Sequence, residues 1–358
     1  MHDHKKQETW YFVCREGRRM RGAKKGETPI VSVLMYVYNQ APYLEKAIRS
    51  VIGQHGDFAA EVIIHDDAST DGSRKIIQRY AHEYPDLIIP ILQEENQMQQ
   101  GVDFVSLYVM PRVTGKYIAY CEGDDYWTDA EKLSLQIDIL DNHPEYSGVC
   151  HNCVVVDASG KRRKPVRKFY PFRKDFVYTL RELTYEARMP GQTASCMMRS
   201  SLHTGMTDEV SEQYRQIRYC VGDRRRTLLM LLHGSVLCMS RTMSAYRYVT
   251  AGGSNWNTKV RGKNLAGRYF VQELDFRKFA RNCCGIDFHN DYALFGYGLM
   301  ACLRVLRDPS EENISQYRMI INELGGRKGL ALFLVASFPR ALLTLLPGTV
   351  QELRWRIC

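Results

Sequence analysis

Three carboxylate side chains lie within four residues of one another, at Glu122, Asp124 and Asp125, directly after an apolar run. Such a concentration of negative charge is costly unless a cation neutralises it. Carboxylate oxygens suit Mg²⁺ or Mn²⁺, and either ion keeps coordination positions open for water and diphosphate oxygens. The sequence contains neither a P-loop nor a dinucleotide-binding glycine fingerprint. The chemistry that best fits these residues is metal-assisted departure of a nucleotide diphosphate.

The elements that must position this cluster are short strands that alternate with helices. Four apolar runs have the composition of strands buried on both faces of a sheet: residues 30–37, 61–65, 87–92 and 117–121. Helical spacing occurs between them, as at 42–54, and a further helix is expected over 104–113. This alternation predicts an α/β fold with a mostly parallel central sheet flanked by helices.

Polar residues follow three of these predicted strands at the point where each strand ends. Tyr38 follows the first strand, Asp66 and Asp67 follow the second, and the acidic cluster follows the fourth. Because ligands of open α/β sheets bind beyond the carboxyl ends of the strands, we expect these residues to share one site. The turn at Asp66 and Asp67 offers acceptors for the N–H groups of a base or for ribose hydroxyls.

The composition excludes several classes of protein. The chain has 358 residues, of which 45% are hydrophobic and 25% charged, and this predicts one large or two modest globular domains. With 26 glycines and 12 prolines it is neither collagen-like nor wholly disordered. It has no apolar run of membrane-spanning length and no apolar leader, and its 11 cysteines have no regular spacing. These features predict a soluble, cytoplasmic chain with reduced thiols.

The net charge of +9 is concentrated in two segments. Residues 1–27 carry +4 and residues 161–174 carry +8, which leaves −3 for the rest of the chain. A body so close to neutral argues against a nucleic-acid-binding protein. The loop at 161–174 either meets a polyanion, such as acidic lipid headgroups, a phosphorylated lipid carrier or an acidic glycan, or is simply solvated.

Three segments, in this order, resemble the successive motifs of family-2 GT-A glycosyltransferases: PIVSVLMYVYNQAPYLEKAIRSVIGQ, EVIIHDDASTDGS and GKYIAYCEGDDYWTD. The similarity covers about residues 28–250. It implies a GT-A domain over 28–255, preceded by a basic tail at 1–27 and followed by a helical region at 256–358. It also implies inverting transfer of a sugar from a nucleotide-sugar donor, by default a UDP-sugar, to an acceptor hydroxyl, with Mg²⁺ or Mn²⁺ as the metal.

By position, the resemblance implies that six side chains contact or support the donor: Tyr38, Asp66, Asp67, Glu122, Asp125 and Arg247. Asp124 is the expected metal ligand. Glu122 replaces the first Asp of the family's Asp-x-Asp motif, so we expect it to contact the donor or the water shell of the metal. Asp125 is expected to orient the sugar or brace the loop, and residues 252–254 fit a loop that closes over the donor.

The resemblance also implies an acidic general base on the acceptor side, and Asp223 stands at that position. The alternative role for Asp223 is to cap the helix that follows it, and the two roles are compatible. Gln192 and Thr193 either line the acceptor pocket or form the polar start of a core strand.

The predicted cellular role is synthesis of a bacterial surface polysaccharide or a lipid-linked glycan. The alternative is a noncatalytic nucleotide-sugar-binding or scaffold protein that keeps the fold. Two or three helices are expected over 264–326, and the apolar segment 329–346 predicts either a packed helix pair or an anchor on a membrane surface. The chain is therefore expected in the cytoplasm, with peripheral contact at the inner face of the membrane as an open alternative.

Overall fold

In the computed structural model of the protein, the described residues are 19–164, 171–185, 190–204, 208–219, 222–249 and 262–357. Most of the predicted basic tail, the centre of the basic loop and the predicted closing loop at 252–254 lie outside these ranges. Ten strands in the described part of the chain form one sheet, with helices around it and a helical unit at the C-terminal end.

The strands are β1 (Arg21–Gly22), β2 (Val31–Val37), β3 (Ala59–Asp66), β4 (Ile88–Leu92), β5 (Tyr117–Tyr120), β6 (Tyr126–Trp127), β7 (Tyr146–Val156), β8 (Phe176–Tyr178), β9 (Met197–Arg199) and β10 (Ser235–Arg247). The helices are α1 (Ala41–Ile52), α2 (Ser73–Glu83), α3 (Lys132–Asn142), α4 (Leu180–Tyr185), α5 (Ser201–Thr204), α6 (Asp208–Arg215), α7 (Gly222–His233), α8 (Ala266–Cys284), α9 (Asp291–Arg307), α10 (Glu311–Glu323) and α11 (Arg327–Ile357).

The sheet has a parallel half and a mixed half. β2 lies between β3 and β5, and β3 also pairs with β4 and β1, all in parallel. Every residue of β3 is buried, as expected for a strand covered by helices on both faces. Beyond β5 the order continues β9, β7, β10 and β6, and β9 runs antiparallel to both of its neighbours.

The α/β fold class is confirmed, and the four predicted strands correspond to β2, β3, β4 and β5. The sheet is mixed, because four of the nine strand pairings among the described residues are antiparallel and involve β6, β8 and β9. These three strands have only two or three residues each, too few for a hydrophobic period to reveal them. The helix predicted at 104–113 is a π-helical turn at Val105–Val109 followed by a 3₁₀ turn at Met110–Arg112.

Helices α8 to α11 form a helical unit with its own apolar core, in which Phe270, Leu294 and Ile320 are buried. The three helices α8, α9 and α10 match the two or three predicted over 264–326. The prediction of a helix pair at 329–346 is wrong, because α11 continues as one helix past Pro339. No helix in the described ranges combines the length and the apolarity needed to cross a membrane.

Ion pairs attach the helical unit to the segment that precedes and begins α7. Glu273 on α8 lies 2.5 Å from Arg224 and 3.1 Å from Arg277, and its side chain is almost fully buried. Asp275 on α8 accepts hydrogen bonds from both the backbone and the guanidinium of Arg218. The helical unit therefore holds the chain at two points, at Arg218 before α7 and at Arg224 in the first turn of α7.

Replacing Glu273 with Gln is expected to lower the free energy of unfolding by about 3–5 kcal/mol, because it leaves a buried arginine without its counter-charge. The measurement is the denaturation midpoint in urea, compared with Asp287→Asn. Asp287 pairs with Arg281 in an exposed position, and its replacement should change the stability by less than about 0.5 kcal/mol. Equal effects for the two variants would contradict the role assigned to Glu273.

Candidate active site

The carboxyl ends of β2, β3 and β5 meet at one edge of the sheet. The backbone N–H of Asp67 donates to the carbonyl of Val37 at 2.9 Å, and that of Gly123 donates to Tyr36 at 3.2 Å. A Cβ atom on Gly123 would lie 2.5 Å from Oε1 of Gln40 and 3.0 Å from Val37, so a larger residue here would displace the side chain of Gln40. The loops that carry Tyr38, the two aspartates and the acidic cluster are thereby brought side by side.

Glu122, Asp124 and Asp125 form one acidic cluster. Each offers a carboxylate oxygen, and these oxygens all lie within 4.8 Å of one another. The two oxygens of Asp125, which is 1% exposed, accept hydrogen bonds from the backbone N–H of Arg247 at 2.8 Å and from Nε2 of Gln192 at 2.5 Å. The carboxylate of Asp124 accepts a hydrogen bond from its own backbone N–H. Carboxylates this close together fit a divalent cation, whereas both oxygens of Asp125 already accept hydrogen bonds.

The electrostatics of the cluster point to the same conclusion. Burial, reinforced by repulsion from the carboxylates of Asp223 and Asp124, raises the pKa of Glu122 to about 8. Burial also raises the pKa of Asp124 to about 6 and that of Asp125 well above its usual range. Without a cation the cluster therefore retains protons near neutral pH, and a bound divalent ion would replace them.

This cluster predicts a pH dependence of stability. Glu122 has a folded-state pKa of about 8 against an ordinary value of 4.5, so the folded protein binds more protons than the unfolded chain between these values. Its contribution to the free energy of unfolding therefore falls as the pH rises from about 4.5 to about 8. Glu122→Gln should show a smaller decline over this range, measured as Tm against pH in chelator. The exposed control Glu94→Gln should follow the wild type, and a Glu122→Gln curve parallel to the wild type would contradict the assignment.

Asp223 lies in the first turn of α7, next to the acidic cluster. Its Oδ1 accepts hydrogen bonds from Oγ1 of Thr193 at 2.7 Å and from Nη2 of Arg226 at 2.8 Å. About a third of the side chain is exposed (32%), so it remains accessible to a ligand. Because α7 already begins at Gly222, Asp223 lies inside the helix, and the alternative that it is the N-cap is wrong. In the first turn its negative charge interacts favourably with the helix dipole.

The turn that leads into β9 connects the two acidic groups. Gln192, at the start of the 3₁₀ turn Thr193–Ser195, donates to Asp125 and accepts from the backbone N–H of Ala194 at 2.8 Å. The next residue, Thr193, donates to Asp223. Gln192 is 3% exposed with both ends of its amide engaged, so it braces Asp125, and its place in an acceptor pocket remains a prediction.

Arg247, at the end of β10, is 3% exposed and holds the acidic loop. Its Nε donates to the carbonyl of Asp124 at 2.9 Å, and its Nη1 donates to the carbonyls of Asp157 and Ala158, each at 2.9 Å. The guanidinium also lies over the ring of Tyr43, 4.3 Å from its centroid. These contacts give Arg247 a structural task, and its contact with a diphosphate remains a prediction.

The two aspartates after β3 have different environments. The carboxylate of Asp67 accepts the backbone N–H groups of Gln97 at 2.7 Å and Met98 at 3.2 Å, so it holds the loop after β4. Asp66 is fully buried, which raises its pKa, and its Oδ1 has no hydrogen-bond partner in the described structure. Tyr38 is partly buried at the end of β2. The donor contacts expected of these three residues remain predictions.

A match to a protein-family model identifies the domain that carries this site. The sequence model of Glycosyl transferase family 2 matches residues 32–205, which include the acidic cluster and the turn that carries Gln192 and Thr193. Residues 32–205 of the chain belong to glycosyltransferase family 2. The family-2 glycosyltransferase is 29% identical over 344 residues to an uncharacterized protein of Mycobacterium tuberculosis, covering 91% of this chain and 85% of the relative. It is 27% identical over 255 residues to TuaG of Bacillus subtilis, covering 70% of this chain and 91% of that protein.

Solved structures agree on the fold of this glycosyltransferase. The S. aureus TarS fragment 1-349, solved in complex with UDP-GlcNAc, matches with a TM-score of 0.56 and 16% identity over 88% of each chain. The TM-score shows that the two chains share the GT-A fold.

The glycosyltransferase also has one site residue that our sequence reasoning missed. The side chain of Arg226 is 11% exposed, pairs with Asp223 and lies over the ring of Tyr120 at 4.3 Å. A basic residue three positions after an acidic one on a helix is the signal that could have found it, because such residues are neighbours on the helix surface. Three consecutive arginines, at 224–226, hid which of them turns toward Asp223.

Proposed function

We propose that this glycosyltransferase transfers a sugar from a nucleoside diphosphate donor, a UDP-sugar, to an acceptor hydroxyl with inversion at the anomeric carbon. The observation that carries the proposal is the link between the two acidic groups. Gln192 and Thr193, adjacent in one buried turn, hydrogen-bond to Asp125 of the acidic cluster and to Asp223, respectively. A general base and a diphosphate-binding group held by one rigid turn are what a single displacement requires.

Asp223 is the proposed general base, which takes the proton of the attacking hydroxyl. Its exposed fraction leaves room for the acceptor, and the hydroxyl of Thr193 fixes one of its oxygens at 2.7 Å. Arg226 pairs with the same oxygen, so we assign proton acceptance to Oδ2. One displacement with base assistance inverts the anomeric centre, as it does in inverting hydrolysis.

Asp124 and Glu122 are the proposed residues that hold Mg²⁺ or Mn²⁺. When bound, such an ion neutralises the negative charge that develops on the departing diphosphate. The support is that their carboxylate oxygens lie within 4.8 Å of each other, while Asp125 and Arg247 brace the loop that carries them. Glu122 reaches farther than the aspartate it replaces, and repulsion from both Asp223 and Asp124 contributes to its raised pKa.

The donor base and ribose are assigned to Tyr38, Asp66 and Asp67. The unpaired Oδ1 of Asp66 supports this, because a buried acceptor without a donor is costly until a ligand N–H or hydroxyl supplies one. Uridine diphosphate is proposed because TarS, which shares the fold, is described in complex with UDP-GlcNAc. TuaG is named for teichuronic acid biosynthesis, which favours a surface polysaccharide or a lipid-linked glycan as the acceptor.

We place the reaction in the cytoplasm, at the inner face of the membrane. The eight cysteines of the described structure are free thiols, which fits a reducing compartment.

The test combines product formation with stereochemistry. Purified protein with UDP-sugars, Mn²⁺ and a bacterial lipid-linked glycan extract is expected to release UDP, and the proton coupling of the new glycoside should show the inverted anomer. A retained anomer would overturn the single displacement. Donor binding without UDP release under any condition would instead favour the noncatalytic nucleotide-sugar-binding protein.

A further inference from the structure

One face of the C-terminal helical unit exposes an unusual amount of apolar surface. Thirteen large apolar side chains are exposed among the described residues, and nine of them lie on α9 and α11. Leu306 is 82% exposed and Val335 is 75% exposed. Scattered apolar residues on a surface need no explanation, but a concentration on two neighbouring helices indicates a binding surface.

The exposed residues of the two helices lie on the same side of the pair. α9 and α11 run antiparallel, because Phe295 contacts Phe338, 5.7 Å between ring centroids, and Gly298 packs against Leu334. In both helices an exposed residue directly follows the contact position: Leu299 follows the buried Gly298, and Val335 follows the partly buried Leu334. In antiparallel right-handed helices one step of about 100° from the contact line turns toward the same side. The two apolar stripes, which also include Leu303 and Leu332, therefore form one face.

Basic side chains border this face, since Arg304 and Arg307 line one surface groove with Leu299 and Leu303. Residues 292–307 and 327–350 contain five basic side chains, and Asp291 and Asp308 lie at the two ends of α9. The basic residues are Arg304, Arg307, Arg327, Lys328 and Arg340, and all five are exposed. A basic rim around an apolar face is complementary to anionic lipid headgroups over an acyl layer, whereas a second copy of the same face would bring like charges together. The charge therefore favours a membrane surface over self-association.

We propose that this face, formed by α9 and α11, binds the surface of an anionic lipid bilayer, with the helices lying in the plane of the interface. The face belongs to the helical unit, whose helix α8 forms ion pairs with Arg218 and Arg224. These two arginines lie on either side of Asp223 in the chain. Docking would thus hold the acceptor side of the enzyme close to the bilayer. The lipid binding stands on its own observations, while the consequence that the acceptor is lipid-linked rests on the proposed function.

The test is co-sedimentation of the full-length protein with vesicles, without donor or metal, so that it is independent of catalysis. We expect binding to vesicles of phosphatidylcholine with phosphatidylglycerol, weaker binding to phosphatidylcholine alone, and loss of binding in high salt. The double variant Leu303→Glu/Val335→Glu should lower partitioning by at least about tenfold, because it places charge in the acyl layer. Both positions are exposed, so the fold should be retained, and circular dichroism checks this.

Charge variants separate this face from the other basic segments. Arg304→Ala/Arg307→Ala should weaken vesicle binding, whereas Lys24→Ala/Lys25→Ala, which removes the same charge from exposed positions elsewhere, should not. Unchanged binding of the Leu303→Glu/Val335→Glu variant would overturn the proposal, and so would loss of binding only when the basic residues 161–164 are neutralised. The wild type could instead form a concentration-dependent dimer and not bind vesicles. If Leu303→Glu/Val335→Glu abolishes that dimer, the face binds a second copy of the chain.

Discussion

Asp223→Asn is expected to reduce sugar transfer by about 100- to 10,000-fold while donor binding stays unchanged. The amide keeps the size of the side chain and can still accept the hydrogen bond that Thr193 donates, but it cannot take a proton from the acceptor hydroxyl. The structure keeps Asp223 outside the braced acidic loop, which is why donor affinity should survive. The measurement is turnover at saturating donor, together with the Kd for the nucleotide diphosphate.

The control for this variant is Asp86→Asn, which removes an exposed carboxylate of the same size away from the site. It should leave both quantities at their wild-type values. A normal turnover of Asp223→Asn would show that the base lies elsewhere. A loss of donor affinity equal to the loss of turnover would instead assign Asp223 to the donor site.

Asp124→Asn is expected to have the second large effect, a loss of metal-dependent turnover of at least about 100-fold. Asparagine removes the charge of the proposed ligand, and Glu122 alone does not replace it. Nucleotide diphosphate binding should then no longer respond to Mn²⁺ or Mg²⁺. The measurement is donor turnover and diphosphate affinity across a titration of each metal.

The same variant should behave differently without metal. Because burial raises the pKa of Asp124 to about 6, its ionised form opposes folding near neutral pH, and neutralising it should raise the Tm of the metal-free protein. A variant that loses turnover because it is misfolded would show a lower Tm, so the two readouts distinguish a ligand from a structural residue. Wild-type metal dependence in Asp124→Asn would remove the metal assignment.

The sequence was sufficient for the features that depend on local pattern. Continuous apolar runs predicted β2 to β5, and the polar residues after three of them predicted which loops meet at the edge of the sheet. The acidic cluster was evident because its three carboxylates are neighbours in the chain, and they do lie together.

Features that depend on distant partners could not be predicted in this way. Gln192 contacts Asp125 across 67 positions, and Arg247 contacts Asp124 across 123 positions, so nothing near either residue reveals that its side chain is occupied. The position of β9 between β5 and β7 is of the same kind, since a strand of three residues is placed by its neighbours and not by its own sequence.

The central claim is that the acidic edge of the sheet binds a nucleoside diphosphate together with a divalent cation. The most direct measurement is the Tm of the wild type and of Asp124→Asn with UDP and UDP-sugars, in Mn²⁺, Mg²⁺ or chelator. At about 100 times its Kd a ligand adds about 2.7 kcal/mol to the free energy of unfolding, which gives a clear rise in Tm. The account predicts that rise for the wild type with metal, and its absence in chelator or in the variant. No rise with any nucleotide, or an equal rise in chelator and in Asp124→Asn, would contradict it.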